Sequence, residues 1–269
     1  MGVDEQRILE RLVERGKNVF EGPAKALPIS FKKPPDLNQV QHQEAKSLVN
    51  DLEHHPHAFV IACITDRQID ADRAWLIPYR LSQKIGSPGE PTFLFSKLLE
   101  LSEDEIQRHM EGPPSLHWLH KEMSRHIHAA LRRIAEKYEG RTERIWADCP
   151  SSAGLVYRFL EFEGIGPKIA TMAANILVRG FKKPVSDYFS IDVSPDRHVR
   201  RVLHRLDLIP ERAPNELIQY RARDLNPKFP GLLDLPAFEI GRKWCRPRQP
   251  DCGQCIMHDI CPTAAKLTA

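Results

Sequence analysis

The sequence predicts an all-α fold. Apolar residues recur at helical spacing in segment after segment, as in residues 119–138, where Ile127, Leu131 and Ile134 form one stripe. No segment shows the strict alternation of apolar and polar residues that a half-buried strand requires. Breaks such as Gly112-Pro113-Pro114 separate the periodic segments. The 269 residues are therefore expected to form one large or two modest helical domains.

The helices can be placed in chain order from apolar spacing and capping residues. An uncharged stretch at 57–64 predicts a buried helix, and a polar elbow at 65–72 follows it. Ser102 and Glu105 have the spacing of a capping box. Helices are predicted over residues 8–13, 45–52, 57–64, 74–84, 93–101, 103–110, 119–138, 142–147 and 152–161. Residues 46–180 therefore form a compact helical unit, preceded by an irregular connection at 22–35.

The composition excludes several classes of protein. The chain begins with charged residues, and no stretch of uncharged apolar sequence is long enough to cross a bilayer. We therefore expect a cytoplasmic protein without a membrane partner, associated with the nucleoid if it is bacterial. A net charge of +3 is too small to indicate a nucleic-acid partner, so the placement of the basic residues has to decide that question.

A glycine-rich turn, Gly164-Ile165-Gly166-Pro167-Lys168, joins two predicted helices. Glycine permits positive φ and removes side chains, so backbone N–H groups and the N-terminus of the second helix can face a phosphate oxygen. Pro167 suits the first helical turn, and Lys168 places an ammonium group beside the site. The alternative is an ordinary corner between two helices with a solvated lysine.

A basic helix is predicted to begin after Asp196. The Asp196 carboxylate stands where an N-cap is expected, near the positive end of the helix dipole. Arg197, Arg201, His204 and Arg205 share the polar face of this helix. A structural cap and a solvated charged face are the alternatives to a functional role.

Four of the six cysteines lie within seventeen residues near the C-terminus, with the spacing Cys-x6-Cys-x2-Cys-x5-Cys. A single loop with uneven arms suits four thiolates around a [4Fe-4S] cluster better than a zinc site, and a disulfide framework is not expected in a cytoplasmic chain. Arg242 and Arg246 make the same region basic. The predicted ligands are Cys245, Cys252, Cys255 and Cys261.

The hairpin, the downstream Asp196-Arg197-His198-Val199 segment and the cysteine loop, in this order, resemble the endonuclease III branch of the helix-hairpin-helix DNA glycosylase superfamily. The resemblance covers residues 46–261. It implies two helical domains with a DNA-binding cleft between them: a six-helix barrel at 46–180 that ends in the hairpin, and an iron-sulfur cluster domain formed by 1–45 and 181–269.

The resemblance also implies an activity and a partner. The enzyme would flip a damaged base from double-stranded DNA, cleave its N-glycosidic bond and nick the strand by β-elimination through a lysine Schiff base. Lys168 would be the nucleophile and Asp196 the carboxylate that assists base departure. Asp192 is the rival, because residues 193–196 separate Ile191-Asp192 from the Arg197-His198-Val199 segment. Damaged bases or abasic sites would be the targets, and we expect a monomer.

The resemblance also implies further DNA contacts by position along the chain. Gln68 lies in the elbow where the family places a residue that fills the gap left by the flipped base. Leu116 is expected to act as a second wedge inserted into the DNA. Phosphate contacts are expected from Gly164, Gly166, Arg197, Arg201, Arg242 and Arg246.

Two departures from the family pattern leave alternatives open. The segment between Lys168 and the aspartates is long, and residues 182–190 add either a pocket wall or a DNA contact. Residues 22–37 are not explained by the family core. A monofunctional glycosylase, a non-catalytic iron-sulfur DNA-binding protein and an electron-transfer protein therefore remain alternatives, and the damaged base cannot be read from the sequence.

Overall fold

The computed structural model describes residues 3–23, 27–86 and 93–268, and every regular element in these ranges is a helix. Short 3-10 turns lie at Thr142–Ile145, Pro230–Leu233 and Cys252–Gln254, and a π-helical segment at Ile176–Gly180 extends α10. No described helix is long and apolar enough to cross a membrane. The α-helices are α1 (Val3–Glu21), α2 (Gln39–Asn50), α3 (Pro56–Thr65), α4 (Ala71–Ala74), α5 (Ile77–Ile85), α6 (Phe95–Glu100), α7 (Glu103–Glu111), α8 (His120–Lys137), α9 (Ser152–Leu160), α10 (Pro167–Asn175), α11 (Arg197–Arg205), α12 (Asn215–Leu225), α13 (Asp234–Lys243) and α14 (Pro262–Thr268).

Local sequence signals set most helix ends. The predicted capping box at α7 is present, with Ser102 accepting from the Glu105 amide and Glu105 accepting in return from the Ser102 amide. The helix predicted over 74–84 begins later, as α5 at Ile77, and a separate short helix, α4, ends at Ala74. Pro78 has no N–H and its ring clashes with the preceding turn, so a helix starting at Ala71 cannot run through it.

One hydrophobic cluster is built around α3. All ten residues of this uncharged helix are buried, and it contacts α2, α5, α8 and α10. The ring of Phe59 lies 5.8–6.3 Å from the rings of Trp75, Trp146, Phe159 and Phe181. Such aromatic pairs add to the stability that burial itself provides. The apolar side of α10 belongs to the same cluster, which fixes the helix that follows the hairpin.

A second hydrophobic cluster joins the two ends of the chain. It contains Ile8 and Leu12 of α1 with apolar residues of α11, α12 and α13 and with Met257 of the cysteine loop. Helices α11 and α13 approach closely at Gly241, where an added Cβ would lie 2.7 Å from the Cβ of His198. A side chain at this position would force the two helices apart.

The first cluster extends beyond the predicted unit of residues 46–180. Ile29 and Phe31 from before it, and Val185, Ile191 and Phe229 from after it, are buried in the same cluster. Distant segments can complete one core because burial depends on packing and not on chain order.

The two segments that the family pattern left unexplained are held to the core. The Asn50 side chain accepts from the Ile29 amide and donates to its carbonyl. Between residues 181 and 190, Tyr188 stacks on Phe229 with ring centroids 4.7 Å apart, and both rings contact Phe20 of α1. Ile29 of the first segment and Tyr188 of the second therefore pack against the rest of the protein. The neighbouring Phe189 is 61% exposed.

Candidate active site and nucleic-acid interface

The glycine-rich turn between α9 and α10 is a tight hairpin whose conformation needs glycine at one position. Gly164 has φ of +86°, and an added Cβ there would lie 2.7 Å from the His126 ring of α8. Phe162 and Ile165 on either side are buried and anchor the turn in the first cluster. The turn is therefore rigidly placed against α8.

The outer side of the same turn is open. Gly166 is the N-cap of α10, and no atom lies within 4 Å of the position that a Cβ would occupy. Its lack of a side chain leaves the first-turn amides of Lys168 and Ile169 without a capping partner among the described residues. These amides and the helix dipole form a site that suits an anion such as a phosphate group.

Lys168 is exposed at the start of α10. Its charge acts on two carboxyl groups, Asp66 at the end of α3 and Asp234 at the start of α13, and the charge of Asp196 before α11 acts on the same two groups. Burial raises the pKa of Asp66, while the positive charge of Lys168 opposes that shift. The lysine is therefore linked electrostatically to carboxyl groups at the end of α3 and at the start of α13.

Asp196 caps α11, as predicted, with only one of its carboxylate oxygens. Oδ1 accepts from the backbone amides of His198 at 2.8 Å and Val199 at 2.7 Å. Among the described residues, Oδ2 accepts no hydrogen bond, and the side chain is half-buried. A carboxylate held in this way keeps its orientation and can still offer an oxygen to a ligand.

Asp192 has a different environment. It is 4% exposed, and its two oxygens accept from Nε and Nη2 of Arg223 at 2.8 and 2.7 Å. Asn175 of α10 donates to its backbone carbonyl at 2.7 Å. Both oxygens of Asp192 are thus engaged in a bidentate pair, and this carboxylate supports the long segment before α11.

The polar elbow after α3 presents Gln68 at its tip. Gln68 is exposed and has φ of +56°, an uncommon conformation for a residue other than glycine. Strained backbone of this kind is concentrated at functional sites. The position is consistent with the predicted insertion role, which stays a prediction.

The neighbouring loop differs from the expectation. Leu116 is 2% exposed and packs in the first cluster, so it cannot act as a wedge in this conformation. Trp118 is instead 57% exposed, and its indole N–H donates to the Gln68 carbonyl at 3.2 Å. Nε2 of His117 forms a hydrogen bond with the Arg67 carbonyl at 3.0 Å, and the His117 ring stacks on that of Trp118. The elbow and this loop therefore form one unit with Gln68 and Trp118 at its surface.

The predicted phosphate-binding arginines separate into two groups. Arg197 and Arg246 are exposed, and Arg242 is exposed with a 3.3 Å contact to Asp72. Arg201 is partly buried and donates to the carbonyls of Cys245 at 2.6 Å and Gly241 at 2.9 Å. Arg201 thus bridges α11 and the cysteine loop, and its phosphate contact stays a prediction.

The four cysteines of the C-terminal loop line one cavity together with Val202, Leu206, Ile240 and Met257. Arg205 of α11 donates to the Cys245 sulfur at 3.3 Å, and also to the carbonyls of Arg246 and Pro247. Among the described residues, no three His, Cys, Asp or Glu side chains converge as a single bound metal ion requires. Four thiols that ring a cavity with apolar walls have the donor set of an iron-sulfur cluster.

No sequence-family model matches the chain. It is 28% identical to endonuclease III of Thermotoga maritima over 143 residues, which cover 53% of this chain and 58% of that protein. It is 30% identical to endonuclease III-like protein 1 of Gallus gallus over 120 residues, which cover 42% of this chain and 38% of that protein. The chain thus spans about half the length of these curated relatives.

Solved structures extend the likeness over the whole fold. A trapped covalent endonuclease III–DNA intermediate matches with a TM-score of 0.58 at 15% identity, covering 98% of this chain and 99% of that one. A thermostable thymine-DNA glycosylase matches with a TM-score of 0.59 at 16% identity, covering 97% and 98% of the two chains.

Two helices joined by an open glycine turn, on an all-helical fold with a C-terminal cysteine loop, define a helix-hairpin-helix protein. The chain is thus similar in sequence to endonuclease III proteins over about half of its length, and its fold is that of endonuclease III.

Sequence reasoning did not single out three residues of this site. Asp66 lies within the elbow that was noted only as polar, and Asp234 lies in a segment for which no helix was predicted. Trp118 could have been found, because a large aromatic residue in a polar loop is a common signal of a recognition surface. For the two aspartates no local signal exists, since only tertiary packing brings them to Lys168.

Proposed function

We propose that the protein is a DNA repair glycosylase with lyase activity, which removes a damaged base and then nicks the strand at the abasic site. The observations that support this most directly are the exposed Lys168 at the open hairpin and the Asp196 oxygen that is free of hydrogen bonds among the described residues; the charges of both residues act on the Asp66 and Asp234 carboxyl groups.

The chemistry follows from these two side chains. The Lys168 amine, after losing a proton, attacks C1′ of the extrahelical nucleotide, and the bond between C1′ and the base breaks. The Asp196 carboxylate stabilises the positive charge that develops on the sugar. Ring opening gives a Schiff base between Lys168 and C1′, which makes a C2′ proton acidic. Loss of that proton expels the 3′ phosphate, and water then releases the amine.

Double-stranded DNA is the proposed partner, bound in a cleft between two helical domains that correspond to the two hydrophobic clusters. The hairpin amides and Arg197, Arg242 and Arg246 would hold phosphate groups without reading bases. Gln68 and Trp118 would occupy the space left by the flipped nucleotide, because both are exposed on the same unit.

Trp118 allows a direct test of this interface. Trp118→Ala should weaken binding to lesion-containing duplex and slow base release by about tenfold, because stacking on a base contributes about 1–3 kcal/mol. Trp118→Phe should retain most of both. Fluorescence anisotropy and single-turnover kinetics measure the two effects. Tyr220→Ala is the matched control, since Tyr220 is 66% exposed on α12, and equal losses in the two alanine variants would contradict the assignment.

A [4Fe-4S] cluster is proposed at Cys245, Cys252, Cys255 and Cys261, whose sulfur atoms would hold it. These cysteines line one cavity, and the apolar side chains of that cavity would restrict access of water to the cluster. When bound, the cluster would join the two ends of the loop through its four cysteines. Arg201 and Arg205 bridge α11 to the loop, and Arg242 and Arg246 lie beside it for the DNA backbone.

The purified protein should therefore be brown, with a broad visible absorption that disappears on oxidative loss of iron. Cys252→Ser should lower the yield of soluble protein and weaken DNA binding, because metal binding contributes to folding of such loops. The free, exposed Cys149 provides a control, and Cys149→Ser should change neither property. A colourless protein with stoichiometric zinc would contradict the cluster.

The proposed activity is tested with a panel of duplexes, each carrying one damaged base or an abasic site, assayed separately for base release and for strand nicking. Release without nicking would favour a monofunctional glycosylase. Binding without either reaction would favour a non-catalytic DNA-binding protein. The presence of an exposed Lys168 at the hairpin favours the bifunctional enzyme over both.

A further inference from the structure

A second carboxylate, Asp234, lies directly behind the segment that carries Asp196. It is the first residue of α13, and its side chain is buried. Its Oδ1 accepts from the backbone amide of Ser194 at 2.6 Å. The Ser194 carbonyl in turn accepts from the Asp196 amide at 2.6 Å. Two hydrogen bonds therefore connect Asp234 to the backbone of Asp196.

Helix α13 also holds the residues that follow Asp196. Gly241 packs against His198, as described above, and the rings of His198 and Phe238 meet edge to face at 5.6 Å. The Asp196 cap is thus held by α13 on both sides, through Asp234 before it and through Phe238 and Gly241 after it. A carboxylate supported in this way has little freedom to move.

The charged groups that face Asp234 are Arg179 from the π-helical segment, Asp196 before α11 and Lys168 from α10. Burial raises the pKa of Asp234 to about 6, whereas Arg179 and the Ser194 amide favour its ionised form. Nη1 of Arg179 is buried without a hydrogen-bond partner among the described residues. The charge of Asp234 therefore interacts with those of Asp196 and Lys168 as well as with that of Arg179.

We propose that Asp234 is a positioning residue for Asp196: its carboxylate holds the Ser194 backbone and so orients the Asp196 carboxylate, and its charge adds to that of Asp196 opposite the sugar. This inference rests on the proposed glycosylase function. It assigns to one buried side chain both a geometric and an electrostatic contribution to base departure.

The electrostatic contribution gives a pH dependence with a definite sign. Below pH 6 the Asp234 carboxyl is neutral, and above pH 6 it adds a negative charge near the developing oxocarbenium ion. Ionisation of Asp234 should therefore raise the rate of base release about three- to tenfold between pH 5 and pH 7.5.

Asp234→Asn separates the two contributions, because an amide oxygen can still accept from Ser194 whereas the charge is lost. The ratio of wild-type to Asp234→Asn rate constants for base release should be close to 1 at pH 5 and should rise about three- to tenfold by pH 7.5. Asp192→Asn, a buried aspartate of the same segment, is the control, and its ratio should not change with pH. A pH-independent ratio for Asp234→Asn would overturn the electrostatic part.

The backbone contribution is measured without substrate. In Asp234→Ala the Ser194 amide loses its acceptor, so amides in 194–199 should exchange with deuterium about tenfold faster or more. Asp234→Asn should exchange like the wild-type protein. Unchanged exchange in the alanine variant would overturn the positioning role. This measurement still decides that role if no base release is detected, and such a failure would count instead against the proposed function.

Discussion

Borohydride should trap the wild-type protein covalently on duplex DNA that carries an abasic site, and Lys168→Gln should abolish the trapped complex. The reductant converts the Schiff base between Lys168 and C1′ into a stable amine, and glutamine cannot form that bond. DNA affinity should change little, since the hairpin amides, which are independent of this side chain, are the proposed phosphate ligands. Denaturing gel electrophoresis measures the complex, and anisotropy measures the affinity.

The control for this experiment is Lys228→Gln, which removes an exposed lysine that has no part in the proposed site. It should be trapped like the wild-type protein. If Lys168→Gln were still trapped, another amine would form the Schiff base and the assignment of Lys168 would be wrong. If the wild-type protein released a base but was never trapped, the enzyme would be monofunctional.

Replacing Asp196 by asparagine should slow base release by about 10²-fold or more, because the charge that stabilises the sugar cation is lost. Asparagine is as good an N-cap as aspartate, so α11 and DNA affinity should be preserved. Single-turnover kinetics on the best substrate of the panel measures the rate. Circular dichroism and anisotropy check that helix content and binding are unchanged.

Asp192→Asn should have the opposite pattern. It removes the charge from a bidentate pair with Arg223, so it should destabilise the fold by about 1–2 kcal/mol, less than for a fully buried pair because Arg223 is partly exposed. Base release by the folded enzyme should change little. If Asp192→Asn caused the large kinetic defect and Asp196→Asn only lost stability, the catalytic carboxylate would precede residues 193–195 and the present assignment would be reversed.

The sequence alone determined the features that depend on neighbours within one or two helical turns. Apolar spacing predicted buried α3 and amphipathic α8, and the Ser102 and Asp196 caps were correctly placed because a cap bonds amides two or three residues away. The all-α class follows from such signals. The helix predicted over 74–84 is present as α5, but it begins at Ile77 because Pro78 prevents the turn of α4 from continuing into it.

Tertiary structure decided everything that depends on which distant segments meet. The sequence left Asp192 and Asp196 as rivals, and they differ in the structure because α12 supplies Arg223 to only one of them. It named Leu116 as the second wedge and did not consider Trp118, although packing buries Leu116 and leaves Trp118 exposed. The positions of Asp66 and Asp234 beside Lys168 have no local signature. Burial and electrostatic proximity are properties of the packed chain, so spacing along the sequence could not reveal them.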